Sequence, residues 1–232
     1  MKNLTILIFG TMFAAMILVI SVPDVAAQDA VTTDAKHYTV EFENDNVRVL
    51  RVRYGPKEKS VMHSHPDSVA VSLSNMQGKF TGADGKSENR SFKMGEVRWS
   101  PAETHMPENL GDKPFEVILV ELKNGAAGMM PAAADDAAKV SAKNHKVEFE
   151  NDRVRVIRSK IGPHEKTGMH AHPNNVVVYL TDANVRSTSA DGKATEVHGK
   201  AGQAVWRDAL KHDAENLSDK PLEVIVVELK GK

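Results

Sequence analysis

Two pairs of histidines, each with a single residue between them, stand at His63 and His65 and again at His170 and His172. A third histidine follows 40 residues after each pair, at His105 and His212. On a β-strand, residues two apart project from the same face, so each pair aims both imidazoles at one spot. Three neutral imidazoles can hold a divalent first-row metal and leave positions open for exchangeable ligands. One His-x-His on a solvated strand would carry no such meaning. The same three-histidine spacing appearing twice does, and it predicts metal at His63, His65 and His105 and at His170, His172 and His212.

Other residues fall near these histidines. Glu108 and Glu215 each follow the third histidine by three positions and are candidates for partners of a ligand or for general bases, set against the ordinary role of exposed carboxylates. Tyr179 stands where the first copy has Ser72; its hydroxyl could donate a hydrogen bond to a metal-bound oxygen, or its ring could fill the interior. Trp99 and Trp206 occupy matching places and read as core. Asn109 and Asn216 read as turn holders, and His164 and His198, unmatched between the copies, as surface residues.

The elements that must position these groups come twice. Asn44-Asp45 returns as Asn151-Asp152, Gly55-Pro56 as Gly162-Pro163, Asp84-Gly85-Lys86 as Asp191-Gly192-Lys193, and Asp112-Lys113-Pro114 as Asp219-Lys220-Pro221, always 107 residues apart. About half of the aligned positions are identical. A period of this length means two whole domains, residues 36–123 and 143–230, not a solenoid. Residues 124–142, rich in Ala and Gly, read as a linker whose Ala-rich part could form a short helix. Within each copy, Val40 to Glu43 and Val47 to Val49 alternate. Leu50, Val52 and Tyr54 then share a face, as do Ile157 and Ile161 in the second copy, which predicts a bulge or strand break there. Ala83 to Lys86 is a hairpin signal, and the short strands between Gly and Pro predict a small all-β barrel or sandwich per copy.

Composition narrows the chemistry. The 232-residue chain has 30 Lys+Arg against 31 Asp+Glu, which excludes a polybasic nucleic-acid binder. It has no Cys, which excludes disulfides, thiolate metal sites and a Cys nucleophile. Aromatic residues at 5% are too sparse for base-stacking platforms. Residues 1–27 begin with Lys2, run through an apolar stretch from Leu4 to Val22 and end in the small residues Val25-Ala26-Ala27. That order predicts a secretory signal cleaved after Ala27, giving a periplasmic or secreted protein with no membrane attachment once the signal is gone.

The residues carry a resemblance. Gly55 upstream of His63-Ser64-His65 resembles the first cupin motif, and Gly95, Pro101, His105 and Asn109 resemble the second. Gly162, His170, His172, Gly202, His212 and Asn216 repeat both, with Asp208 in place of the motif Pro. Glu103 and Leu210 stand where the second motif usually has Gly. The chain therefore resembles a two-domain cupin, a bicupin. This implies two tandem double-stranded β-helix (jelly-roll) barrels with a metal in the mouth of each.

The pattern departs from the family at one point. The Glu that usually follows the second histidine by four or five residues is replaced by Val69 and Ala70, and by Val176 and Val177. A site without that carboxylate keeps more positive charge and more open coordination, which favours small anionic ligands. Three-histidine cupins of this kind include iron dioxygenases. The resemblance thus implies a metal-dependent oxidoreductase of dioxygenase type, with Fe(II) the first choice and Mn, Ni, Zn or Cu as alternatives. It leaves open a non-catalytic module for a small ligand or metal, and a metal-assisted isomerase or lyase of sugars or organic acids. The expected partner is a small molecule, with a homo-oligomer as a further option.

Overall fold

The computed structural model describes residues 28–125 and 128–231; the proposed signal, residues 1–27, lies outside the described residues. Each copy opens on one capped helical turn, α1 (Ala30–Thr33) and α2 (Ala137–Val140). Asp29 and Asp136 cap these turns by accepting from backbone N–H groups two or three residues on. Ala30 and Ala137 beneath the caps are fully buried. The repeat thus reaches back to Asp29 and Asp136, so the end of the Ala-rich stretch packs with the second copy.

The rest is β. The first copy contains β1 (Tyr38–Glu43), β2 (Val47–Tyr54), β3 (His63–His65), β4 (Ser68–Ser72), β5 (Met76–Gly82), β6 (Ser87–Phe92), β7 (Val97–Ser100), β8 (Glu103–Asn109) and β9 (Phe115–Leu122). The second repeats them as β10 (His145–Glu150), β11 (Val154–Ile161), β12 (His170–His172), β13 (Asn175–Tyr179), β14 (Ala183–Ser189), β15 (Ala194–Gly199), β16 (Ala204–Arg207), β17 (Leu210–Asn216) and β18 (Leu222–Leu229). A five-stranded sheet, β1-β2-β9-β4-β7, and a four-stranded one, β3-β8-β5-β6, form barrel 1. Barrel 2 has the same orders, β10-β11-β18-β13-β16 and β12-β17-β14-β15. This is the jelly-roll pair that the repeat and the resemblance imply. Gly85 and Gly192, with φ of 78° and 87°, turn the hairpins in the left-handed conformation that glycine adopts without strain.

The expected break after Val49 is absent. β2 pairs with β9 without interruption from Val47 to Tyr54. Val47 and Val49 face one apolar core while Leu50, Val52 and Tyr54 face another, so the strand is buried on both sides. The irregularity sits instead in the partner strand, between Val40 and Phe42, and recurs between Val147 and Phe149.

The two five-stranded sheets pack on each other through their outer faces. Val47, Val49, Ile118 and Val120 of one barrel share a single core with Val154, Val156, Ile225 and Val227 of the other. Arginines close its edges symmetrically: Arg51 donates to the Gly202 carbonyl (2.7 Å) and Arg158 to the Gly95 carbonyl (2.6 Å). Each barrel keeps its own interior core, around Leu50, Tyr54 and Phe115 or around Ile157, Val185 and Leu222. No helix among the described residues is long and apolar enough to cross a membrane.

Candidate metal centres

In barrel 1, β3 lies antiparallel to β8 with His63 directly opposite His105. Strand alternation puts His65 on the same face as His63, so three rings meet at one end of the barrel interior. Their centroids are 4.9 Å (His63–His65), 5.0 Å (His63–His105) and 5.3 Å (His65–His105) apart. One ring nitrogen from each lies within 4.8 Å of the others.

Hydrogen bonds fix the tautomers. His63 Nδ1 is 2.8 Å from the Val61 carbonyl, which can only accept, so Nδ1 carries the hydrogen and Nε2 the lone pair. His65 Nδ1 donates to Glu121 Oε1 at 2.7 Å. Glu121 is 1% exposed, and its other oxygen accepts from Arg48 Nε at 2.6 Å; Arg48 in turn pairs with Asp29. A carboxylate behind a histidine in this way sets ring orientation and raises ligand basicity. His63 Nε2 and both nitrogens of His105 are buried without a hydrogen-bond partner. Glu103 Oε1 lies 3.0 Å from His105 Nδ1, close enough for charge attraction but without hydrogen-bond geometry. Burial, reinforced by the neighbouring rings, lowers the His63 pKa to about 4; burial also lowers that of His105, against the opposing pull of Glu103. Neutral imidazoles with orphaned, inward nitrogens are the donor set a divalent transition metal requires, so the residues fit such an ion.

Barrel 2 differs. His170 lies opposite His212 on β12 and β17, but the compact group of ligand nitrogens is His145, His170 and His172. His212 flanks them, its ring 4.8 Å from His170 and 5.8 Å from His172, with Nδ1 on the Ser187 hydroxyl at 2.8 Å. The predicted trio therefore gains a fourth histidine from the first strand of the repeat. The carboxylate support recurs: His172 Nδ1 donates to Glu228 Oε1 (2.7 Å), while Glu228 Oε2 accepts from Arg155 Nε (2.5 Å), itself paired with Asp136 (2.6 Å). Burial is the first cause that lowers the pKa of His170 to about 4 and those of His145 and His212 to about 3.

The remaining predicted residues separate. Glu108 and Glu215 turn away from the histidines, because three positions along a strand reverse the face. Glu215 pairs outward with Arg186 at 3.1 Å, and neither Glu lines a cavity. The structure thus places these two on the strand face opposite the histidines. Tyr179 lines the cavity of barrel 2, its ring pressed over Gly199. Asn109 bonds the Gly55 and Lys113 carbonyls, and Asn216 does the equivalent, as turn holders. Trp99 and Trp206 flank the inter-barrel core, and Trp99 also lines the cavity of barrel 1. His164 and His198 are exposed. Of the residues at the missing Glu, Ala70 and Val177 line the cavities, whereas Val69 and Val176 lie in the inter-barrel core.

Each histidine group opens on a cavity, of about 290 Å³ in barrel 1 and about 240 Å³ in barrel 2. The first is the more charged. Arg90 and Arg98 line it, stacked over Phe80 (4.6 Å) and Phe92 (4.4 Å), with Glu103 beside them. Valines 197 and 205 and Leu210 replace these three in barrel 2, where Arg207 is the one charged lining residue.

No protein-family model matches the chain, and no curated protein does. Solved structures do. A tryptophan variant of oxalate decarboxylase from Bacillus subtilis superposes with a TM-score of 0.57 at 14% identity, over 83% of this chain and 72% of that one. The same enzyme at pH 4.6 gives 0.57 at 14%, over 80% and 68%. The chain has a tandem cupin fold. A single cupin domain from Bordetella pertussis Tohama I is 25% identical over 38% of this chain and 92% of its own, with a TM-score of 0.36. Within that fold, the two barrels carry two histidine clusters able to hold metal.

Proposed function

We propose that the protein is an exported, metal-dependent oxidoreductase of dioxygenase type that acts on a small anionic substrate, with barrel 1 as the catalytic barrel. The observation that carries this reading is the buried trio His63, His65 and His105 at the head of a cavity that also holds two arginines. A redox-active ion held there, iron in the first instance, would supply sites for oxygen and substrate and accept or pass electrons.

The chain's own residues do the rest. Arg90 and Arg98 offer guanidinium groups to a carboxylate or enolate, already oriented by the aromatic rings beneath them. Phe80, Phe92 and Trp99 line the cavity and limit water around the bound anion. Glu121 keeps the His65 proton on Nδ1, leaving Nε2 as the ligating atom. Glu103, the one carboxylate lining this cavity, has its pKa held at about 2: burial opposes this, but contact with His105 and Ser100 outweighs it. It is thus ionised, a fixed negative charge beside His105. Arg90, Arg98 and Glu103, where the second copy has Val197, Val205 and Leu210, distinguish this cavity from that of barrel 2.

Oxygen uptake by the iron-loaded protein, measured over a panel of small carboxylates, thiols and β-diketones, tests the proposal. Uptake with at least one of these, lost in Arg90→Ala and in His63→Ala, is the expected result. Anion binding without oxygen uptake by any member would instead favour a binding module or Lewis-acid chemistry.

A further inference from the structure

Position 145 is where the two barrels diverge most in metal chemistry. Its counterpart in barrel 1 is Tyr38, whose ring packs 4.7 Å from His63 and whose hydroxyl is tied to that of Tyr54 at 3.0 Å. In barrel 2 both members of that tyrosine pair are gone: His145 replaces Tyr38 and Ile161 replaces Tyr54. His145 begins β10, is 5% exposed, and stands 4.5 Å from the His170 ring and 5.8 Å from His172. Its Nδ1 lies 3.2 Å from the Ser141 carbonyl, an acceptor that fixes the hydrogen on Nδ1 and the lone pair on Nε2. His63 and His170 are held by backbone carbonyls in the same way, at Val61 and Gly168. A histidine that only filled space would need neither this tautomer nor a place among the ligand nitrogens.

We propose that His145 is a ligand of the barrel 2 metal beside His170 and His172, in a barrel that gathers four imidazoles around the site where barrel 1 has three. The inference rests on barrel 2 binding metal at all, as the reading above holds. It divides the two sites: barrel 1 keeps exchangeable positions beside a charged cavity, while barrel 2, with His145, His170, His172 and His212 around an apolar cavity, retains its ion and offers few positions to an incoming ligand.

The test uses the full chain with His63→Ala and His65→Ala, so that Co(II) absorption reports barrel 2 alone. This parent should take up one Co(II) per chain, and adding His145→Ala should speed its release to excess chelator by more than about 100-fold, beyond what losing an orienting partner costs. The visible band should shift at the same time, which a merely structural role would not cause. The mirror variant Tyr38→His, in a chain with His170→Ala and His172→Ala, should slow Co(II) release from barrel 1; this arm decides the matter if His145→Ala fails to fold by circular dichroism. Release within about twofold of each parent and unchanged bands would overturn the inference. A parent that takes up no Co(II) would overturn it by a different route, by showing that barrel 2 is not a metal site.

Discussion

Replacing Glu121 by Gln isolates the buried group that aims His65. The carboxylate accepts from two donors at once, His65 Nδ1–H at 2.7 Å and Arg48 Nε–H at 2.6 Å. A glutamine of the same shape has one accepting oxygen and one donating amide. If the oxygen stays with Arg48, the amide faces His65 Nδ1, and the ring must move its proton to Nε2, the atom needed for metal. If the oxygen stays with His65, the amide faces the Arg48 N–H and the charge of Arg48 is left to Asp29 alone. Metal affinity at barrel 1 should fall by about 10- to 100-fold, which is about 1.4 to 2.7 kcal/mol. Removing one partner of a buried ion pair costs about 3–5 kcal/mol of stability, and the lower end applies here because Arg48 keeps Asp29 and some solvent. Glu228→Gln should cost more, since Arg155 is only 5% exposed. The assay is chelator competition in a chain whose barrel 2 is silenced by His170→Ala and His172→Ala, paired with urea unfolding. An affinity within about twofold of that parent would refute the orienting role of Glu121.

The buried histidines make the chelator-treated protein sensitive to acid. His63 and His170 stay neutral to about pH 4, while the unfolded chain takes up protons from about pH 6.5; the unfolded state therefore binds more protons in this window, and stability is lost as pH falls from 6.5 to 4. Each such shift is worth about 3 kcal/mol, and urea midpoints that do not change across that window would contradict it. Ala70→Glu should return a carboxylate to the inner face of barrel 1, tightening metal retention and weakening acetate binding there, as read by chelator competition and anion titration; no change in either would count against an open, cationic site. The same change at Val69 puts a charge between the barrels and should unfold the protein at lower urea. Finally, a Cβ at Gly199 would lie 2.7 Å from the Tyr179 ring, whereas barrel 1 pairs Phe92 with Ser72 at these places. Gly199→Ala should therefore cost about 1–3 kcal/mol of overpacking, recovered by Tyr179→Ser in a double-mutant cycle; additive effects would show that the two sites are uncoupled.

The barrel 1 trio was legible in the sequence because strand alternation alone places His63 and His65 together, and a duplicated spacing reports the third ligand. His145 was not, since it stands alone 25 residues before His170 on a strand whose pairing the sequence does not reveal. Setting the copies side by side offered one signal, a histidine facing a tyrosine at position 38. Glu121 and Glu228 had a clearer mark, a carboxylate that follows a run of four apolar residues near the end of the strand in both copies. Their roles stayed hidden because only the fold brings β9 and β18 behind the histidines. The supposed phase slip after Val49 shows a limit of periodicity: a strand buried against its own barrel on one face and the neighbouring barrel on the other has no polar side to keep count by. Glu108 and Glu215 were misleading through nearness in sequence, for which an odd spacing on a strand gives no nearness in space.

The most direct test of the central claim, that each barrel holds one metal ion on its own histidines, is the metal content of the purified full chain and its variants by elemental analysis. The protein should carry up to two divalent ions per chain, and His63→Ala with His65→Ala should leave one, with the fold intact by circular dichroism. Removing His145, His170, His172 and His212 as well should leave none. Metal content that stays unchanged when these six histidines and His105 are all replaced would contradict the account.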